Sequence, residues 1–363
     1  MWLRTQTRSV KVGKVALGGG APVSVQTMAN VDAHDAAALI AQAKACEALG
    51  CDIFRLTVPD VEAAAVLGEV KKHTFMPLVA DIHFDYKCAL AALAAGADAL
   101  RLNPGNVGGQ ANVRTVARAA AEKGIPIRIG VNRGSLEKDL DARIRGGSAA
   151  VAEALCESAL RHVKLLEDEH FYDIVISVKA SNVADTLAAY RLLAEKTNCP
   201  LHLGVTEAGT FLPGTVASSV ALGILLSEGI GDTIRVSLTD KPEKEVRVGT
   251  EILRALGMRE AGPAITSCPT CGRTKVKLFH VAENVELALE KLYLARRAAG
   301  DTRPFPHVAV MGCVVNGPGE ARDADVALCG GTGEYLIYEK GQLVGKVTEE
   351  DAVQEVLNHV IHL

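Results

Sequence analysis

From residue 22 to about residue 256 the chain alternates short β-prone runs with amphipathic helical runs, eight times over. The runs with strand character are PVSVQTM (22–28), CDIFRLTV (51–58), PLVADIHF (77–84) and ADALRLNPG (97–105). They continue with PIRIGVN (126–132), DIVISVKA (173–180), PLHLGVTEAG (200–209) and DTIRVSLT (232–239). Each leads into a stretch such as DAAALIAQAKACEALG or NVADTLAAYRLLAEK, where apolar residues recur at helical spacing. Eight successive strand–helix units predict a (β/α)8 TIM barrel rather than an open doubly wound sheet. SVKVGKVALGGG, ahead of the first unit, predicts a hairpin that plugs the bottom of the cylinder.

Alternation within the strands separates two faces. One parity is aliphatic: Leu100 and Leu102; Ile127, Ile129 and Val131; Ile174, Ile176 and Val178; Ile234, Val236 and Leu238. These residues face the surrounding helices. The other parity points into the barrel. It reads Ser24, Gln26, Arg55, Thr57, Asp81, His83, Arg101 and Asn103, then Arg128, Asn132, Ser177, Lys179, His202, Thr206, Arg235 and Ser237. A purely structural barrel fills that space with Val, Ile and Leu. Burying Arg55, Arg101, Arg128, Lys179 and Arg235 without counter-charge costs several kcal/mol per ion, and Asp81 alone does not neutralise them. A polyanionic ligand at the C-terminal mouth does, and guanidinium forks match phosphate oxygens in pairs. Two phosphoryl groups suit five cations better than one carboxylate. A wet antiparallel sheet would explain the same alternation, but helix crossovers imply parallel strands covered on both faces.

NPGNVGG (103–109) follows the fourth strand and opens a helix, where backbone N–H groups can approach an anion. VTEAG (205–209) places Glu207 beside the cations, either to protonate a leaving oxygen or to pair with an arginine. Lys179 also admits a Schiff-base reading, that of a barrel phosphosugar aldolase or lyase, with a structural zinc in the tail.

Aromatic residues make up only 4% of the chain and hydrophobic residues 48%, the texture of a sheet covered on both faces. A net charge of −4 recommends neither nucleic acid nor an anionic membrane as partner. The N-terminal MWLRTQTRSVKVGKV has no apolar core of a secretory signal, and no run approaches the roughly eighteen apolar residues of a membrane span. A cytoplasmic protein is expected. Nine cysteines, an odd number, argue against a disulfide framework. Cys46, Cys88 and Cys156 in helical runs, and Cys51 and Cys199 at strand entrances, read as small buried hydrophobes.

The barrel is expected over 1–257 and a small α+β domain over 264–363, joined by GMREAGP (257–263). In the tail KVKLFHV reads as a strand, ENVELALEKLYLARRAAG as a helix and HVAVMG as a strand. EYLIYEKGQLVGKV reads as a hairpin turning at Lys340-Gly341, and TEEDAVQEVLNHVIHL as a helix capped by Thr348. Four cysteines cluster here. SCPTCGR sets Cys268 and Cys271 three apart, and zinc is the first candidate. A zinc ribbon needs a second close pair, whereas Cys313 and Cys329 lie sixteen positions apart. A redox dithiol would open a helix after a strand, which this loop does not. A zinc-knuckle interaction module lacks both the second pair and a basic patch. Cys268, Cys271 and Cys313 remain as a three-thiolate set, with Glu320 and Cys329 as candidates for a fourth place; Gly312, Gly317 and Gly319 let backbone approach something bulky.

MGCVVNGPGEA together with SCPTC closely resembles the 4-hydroxy-3-methylbut-2-enyl diphosphate synthase family of the non-mevalonate isoprenoid pathway. The resemblance extends through GCDIFRLTVPD, ADIHFDY, LRLNPGN, IRIGVNRGSL, SVKASN, LGVTEAG and IRVSLT, over essentially the whole chain. It implies a [4Fe–4S] cluster held by Cys268, Cys271, Cys313 and Glu320, in a domain resembling a half-domain of sulfite and nitrite reductases. It also implies a barrel binding 2-C-methyl-D-erythritol 2,4-cyclodiphosphate through Arg55, Asp81, His83, Arg101, Asn103, Arg128, Asn132, Lys179, Arg235 and Ser237, with Glu207 and Glu320 catalytic. Reduced flavodoxin or ferredoxin would supply two electrons, and a homodimer would set each cluster domain over the partner's barrel. Two departures stand out. Where the family carries threonines after the first strand, this chain has Ala29, Val31 and Ala33, so no hydroxyl is expected there. LARRAAGDTRPFP lengthens the interval between Cys271 and Cys313, which predicts a longer surface loop.

Overall fold

The chain enters through a hairpin, β1 (Val10–Val12) paired antiparallel with β2 (Val15–Leu17). The computed structural model describes residues 6–144, 148–259, 262–301, 303–315 and 317–363. Two units divide the chain, one ending at Arg259 and the other at Leu363.

In the first unit eight parallel strands follow the hairpin: β3 (Ser24–Met28), β4 (Ile53–Thr57), β5 (Leu78–Asp81), β6 (Ala99–Leu102), β7 (Ile127–Asn132), β8 (Ile174–Lys179), β9 (His202–Leu203) and β10 (Thr233–Ile234). Their order is β8-β7-β6-β5-β4-β3-β10-β9, and a parallel bridge from Ile176 to Leu201 joins β8 to β9, closing the cylinder. Helices α1 (Ala36–Ala48), α2 (Val61–Lys71), α3 (Tyr86–Ala94), α4 (Gly109–Lys123), α5 (Lys138–Arg143) and α6 (Ser148–Glu167) alternate with the strands, followed by α7 (Val183–Lys196), α8 (Phe211–Ser227) and α9 (Pro242–Ala255). Short acidic or amide side chains start several of them. Asp35, Asp60, Asp85 and Asn182 each accept a hydrogen bond from a backbone N–H of the first turn.

The aliphatic parity packs outward as expected. Leu100, Leu102, Ile127, Ile129, Val131, Ile174, Ile176, Val178, Ile234 and Val236 share one core with the helices, and Cys46, Cys51, Cys88, Cys156 and Cys199 are buried in it. The inward face is graded along the strands. Ile53, Val79, Ala99 and Val175, at the strand starts, close a separate apolar floor with Val10, Val12 and Leu17 of the hairpin. Two residues further on, the same strands present Arg55, Asp81, Arg101 and Ser177. The hairpin is therefore a plug, and the polar interior begins only above it.

The second unit is a five-stranded sheet in the order β11-β12-β13-β14-β15. Its strands are β11 (Ile265–Ser267), β12 (Val308–Met311), β13 (Val326–Gly330), β14 (Glu334–Glu339) and β15 (Gln342–Thr348); the first three are parallel and the last two antiparallel. Helices α10 (Leu278–Ala298) and α12 (Ala352–His362) pack on one face, and the short α11 (Gly317–Glu320) precedes β13. Lys340 and Gly341 both adopt positive φ, 48° and 77°, the pair of left-handed residues a two-residue hairpin requires.

Three expectations change here. KVKLFHV is not a strand: Leu278, Val281, Val285 and Leu289 continue one helical stripe into the core, so α10 begins at Leu278. Thr348 ends β15 instead of capping α12; its hydroxyl donates to Asp351 Oδ2 at 2.8 Å and accepts from Asp351 N at 3.2 Å, a turn that delivers the chain to the helix. The first five residues of LARRAAGDTRPFP are not loop but the end of α10, which runs to Ala298.

Candidate functional site

The glycines of the inward parity explain how the strand ends hold so many cations. A Cβ on Gly130 would lie 2.3 Å from Arg101 Nε, and one on Gly204 would lie 2.7 Å from Lys179 Nζ. Their missing methyl groups are the space these two side chains occupy. Replacing Gly130 with Ala displaces Arg101, and the expected result is a rise of about tenfold in KM with a folded protein, read by steady-state kinetics and thermal melting.

Asp81 is the inner hub. Its carboxylate meets Arg101 Nη1 at 3.1 Å and Arg55 Nε at 3.6 Å, with His83 Nε2 at 3.9 Å on the exposed rim. Arg101 Nη2 donates in addition to the Gly130 carbonyl at 3.2 Å. Arg55 turns its Nε and Nη2 to the Met28 sulfur at 3.1 and 2.6 Å. Burial pushes the Asp81 carboxyl up, but Arg55 and Arg101 outweigh it and hold the group below the usual carboxylate range. Burial lowers Arg55 to about 10, which leaves it charged at neutral pH.

A second carboxylate, unread in the sequence, meets the cations from helix α9. Glu245 is 3% exposed and takes Arg235 in a two-oxygen grip, Nε to Oε2 at 3.2 Å and Nη2 to Oε1 at 3.1 Å. Its signal lay in the helical period. Pro242, Val246, Gly249, Ile252 and Leu253 form the buried face of α9, and Glu245 falls on that face.

Among the described residues Arg128 and Lys179 have no carboxylate within ion-pair distance. Arg128 is 5% exposed; its Nη1 donates to Gln26 Oε1 at 2.7 Å across the barrel, while Nε and Nη2 meet no protein acceptor. Burial, then Arg55 and Arg101, press its charged form. Lys179 is pushed well below the ordinary lysine range by burial and then by Arg235 and Arg128. Beneath them His202 is fully buried with both ring nitrogens unpartnered, and burial followed by Arg128 and Lys179 keeps it neutral. Five basic side chains face two carboxylates, so basic groups outnumber acidic ones by three, and burial together with mutual repulsion disfavours the charge on Arg128 and Lys179 until an anion joins them.

The remaining expected residues stand at the rim. Asn132 is opposite Lys179 in register. Asn103 Oδ1 accepts from Gly105 N at 3.1 Å and so holds the NPG turn, leaving its buried Nδ2 without a partner. Ser237 is half-buried on the segment leaving β10. Glu207 is exposed, with φ at 54°, and among the described residues it makes no ion pair with an arginine. In the first loop, where threonines are missing, Asn30 donates to the Asp240 carbonyl at 3.2 Å, so an amide orders what hydroxyls do not.

In the second unit β11 and β12 are parallel neighbours, with Ser267 opposite Val310, so the loops bearing Cys268 and Cys313 leave the same sheet edge. Cys268 Sγ accepts the Gly312 N–H at 3.2 Å. A Cβ on Gly312 would lie 2.8 Å from Thr274 Oγ1, so the second loop lies against the turn after Cys271. Among the described residues no three of His, Cys, Asp and Glu already converge on a metal position; Cys271 is exposed, and the Glu320 side chain and Asn316 lie outside the described residues. The donor set still fits a thiolate-bound group. Three accessible thiols stand on loops at the same end of the sheet, and a backbone N–H already donates to one of their sulfurs, that of Cys268. Cys329 differs from these three in burial. It is fully buried in β13 among Ala309, Met311, Ala321 and Ala327, and burial, then Cys313 and Cys268, push its thiol up to about 12.

Fold and site define a TIM-barrel protein with a cationic well at the C-terminal mouth, joined to an α+β unit that carries thiols on adjacent loops. Residues 7–250 match the GcpE TIM-barrel domain and residues 264–362 the GcpE protein C-terminal domain. The chain is 52% identical to a protein of Ruminiclostridium cellulolyticum over 98% of both chains, and 53% identical to one of Clostridium acetobutylicum over 98% of this chain and 99% of that one. It is 52% identical to one of Geobacter sulfurreducens over 99% of this chain and 98% of that one. All three are named 4-hydroxy-3-methylbut-2-en-1-yl diphosphate synthase (flavodoxin). The chain belongs to this family. Membership leaves no support for a Schiff-base aldolase with a structural zinc. Among the described residues no helix is long and apolar enough to cross a membrane.

Proposed function

We propose that the barrel binds 2-C-methyl-D-erythritol 2,4-cyclodiphosphate and that the chain opens the ring reductively to (E)-4-hydroxy-3-methylbut-2-enyl diphosphate. The observation that carries this reading is the surplus of basic groups in the well, with Arg128 Nε and Nη2 short of acceptors and Lys179 pressed by the arginines around it. The cyclic diphosphate carries about one negative charge per phosphoryl group, and opening the ring adds a third on the released oxygen, so three excess cations favour the opened form over the closed one. Two electrons and two protons enter, one C–O bond of the ring and one C–OH bond break, and water leaves with the hydroxyl oxygen.

Each residue has a part in that scheme. Arg55 and Arg101, aligned by Asp81, and Arg128, Lys179 and Arg235 hold the phosphoryl oxygens. His83, Asn103, Asn132 and Ser237 fix the ring from the rim. Substrate raises the proton affinity of Lys179 by relieving the repulsion around it, so the amine is charged when the diphosphate oxygen is released. In this reading Glu207 protonates the departing hydroxyl; its exposure and its positive φ of 54° support a functional role.

The electrons call for the second unit. Cys268, Cys271, Cys313 and Glu320 would hold a [4Fe–4S] cluster there, and such a cluster supplies low-potential electrons and an iron that accepts oxygen. Glu320 would be a harder and more weakly held ligand than the three thiolates. Reduced flavodoxin is the donor named for the relatives, with ferredoxin the other donor of this class. A homodimer that sets each thiol-bearing unit over the partner's barrel, in the cytoplasm, completes the reading.

Anaerobic purification tests it. A brown protein with about four irons per chain, whose absorption changes on adding the cyclodiphosphate and which turns it over with reduced flavodoxin, is the expected result. Glu320→Ala should retain some cluster and lose turnover. A colourless zinc protein, or wild-type rates in that variant, refutes the assignment.

A further inference from the structure

Glu245 does more than balance a charge. Besides gripping Arg235, its Oε1 accepts the Leu238 N–H at 3.0 Å and its Oε2 accepts the Thr27 hydroxyl at 2.7 Å. These four bonds tie together three parts of the mouth: one guanidinium of the well, the backbone leaving β10, and the side chain next to Met28 in β3. The β10 ladder ends at Ile234, and Arg235 N makes its last bond to the neighbouring strand, to the Leu203 carbonyl at 2.9 Å. Beyond it the chain lacks strand pairing, and the Leu238 N–H is held by Glu245 instead. Ser237 lies between the two pinned positions. The carboxylate sits near the N-terminus of α9, where the helix dipole favours negative charge.

We propose that Glu245 is a positioning residue for diphosphate recognition: one buried carboxylate fixes the Arg235 fork and sets the path of the backbone that carries Ser237. The inference rests on the substrate reading above. With Nε and Nη2 committed to Glu245, Arg235 leaves Nη1 for the well, 3.9 Å from the Met28 sulfur. A free arginine at this place would be an equally strong cation without a fixed direction. Orientation, rather than charge, is what Glu245 supplies.

A double-mutant cycle tests this on the full-length, iron-loaded enzyme, with KM for the cyclodiphosphate and kcat measured separately. Glu245→Gln keeps the shape but replaces one of the two acceptor oxygens with an NH2 that cannot accept, breaking the two-oxygen grip, and KM is expected to rise about twentyfold while kcat changes less than about threefold. Arg235→Lys is expected to raise KM by a similar factor, and the double variant no further than either single one, since both remove the same oriented group. A purely structural carboxylate gives a different pattern: lower melting temperature, effects on KM that multiply in the double variant, or none. Either multiplication or a wild-type KM in Glu245→Gln overturns the inference. Should Glu245→Gln not fold, Glu245→Asp carries the cycle, with KM raised about fivefold alone and no further beside Arg235→Lys. Wild-type KM in Arg235→Lys would instead overturn the substrate reading of the well itself.

Discussion

Replacing Arg128 with Gln lowers kcat/KM for the cyclodiphosphate by about a thousandfold, the largest effect expected of any single change in the barrel. The reason is geometric and electrostatic together. Arg128 lies at the bottom of the well, its Nη1 anchored by Gln26 and its other donors facing no acceptor. A ligand oxygen that meets them is bound where water screens little, so each charge-assisted hydrogen bond there counts for more than one at the rim. Glutamine restores neither the charge nor the fork. Because Arg128 is under pressure from burial and its cationic neighbours, removing it relieves the empty protein, and the melting temperature should rise or stay level. Loss of activity with unchanged or higher stability marks a binding cation. A variant within about fivefold of wild type in kcat/KM would show that the phosphoryl groups are held elsewhere.

Cys268→Ser has the second large effect, in the other unit. Cys268 accepts a backbone N–H that arranges its sulfur toward the loop of Cys313, and serine offers a shorter, harder donor in its place. Iron content is expected to fall from about four per chain to below one, with turnover by reduced flavodoxin down at least about a thousandfold. Titration calorimetry on the same variant should still record cyclodiphosphate binding, since the well is built wholly from the first unit. Retained iron, or retained turnover, would remove Cys268 from the ligand set. Cys329→Ala makes the natural control. That thiol packs inside the sheet among alanines, so iron should be retained.

The barrel was readable because its strands obey a strict alternation between two environments. Ile127, Ile129 and Val131 could only face helices, and Arg55, Arg101 and Arg128 could only face inward, once the crossovers made the sheet parallel. What escaped the reading has a common cause, contact across distance in sequence. Glu245 resembles an ordinary first-turn acid until its place on the buried face of α9 is counted, and its partners Thr27 and Arg235 are brought to it only by closure of the cylinder. Gly130 and Gly204 look like strand glycines; nothing local says that Arg101 and Lys179 need their space. In the tail, Lys275 to Val281 has both strand-like alternation and the start of a helical stripe, and only packing of Leu278 with Val308 and Tyr335 in one core decides for the helix. VALCG, the strand that buries Cys329, is too short and too plain to stand out before its neighbours β12 and β14 are in place.

The hairpin β1–β2 stoppers one end of the cylinder with Val10, Val12 and Leu17. Solvent in the well therefore meets an apolar floor on that side and leaves by the opening through which the ligand arrives. A guest that fills this opening drives water out ahead of itself and then acts as the cork. Trimming those three side chains to alanine would leave every charged contact in place and yet give the vessel a leak, dampening the attraction between each arginine and its guest.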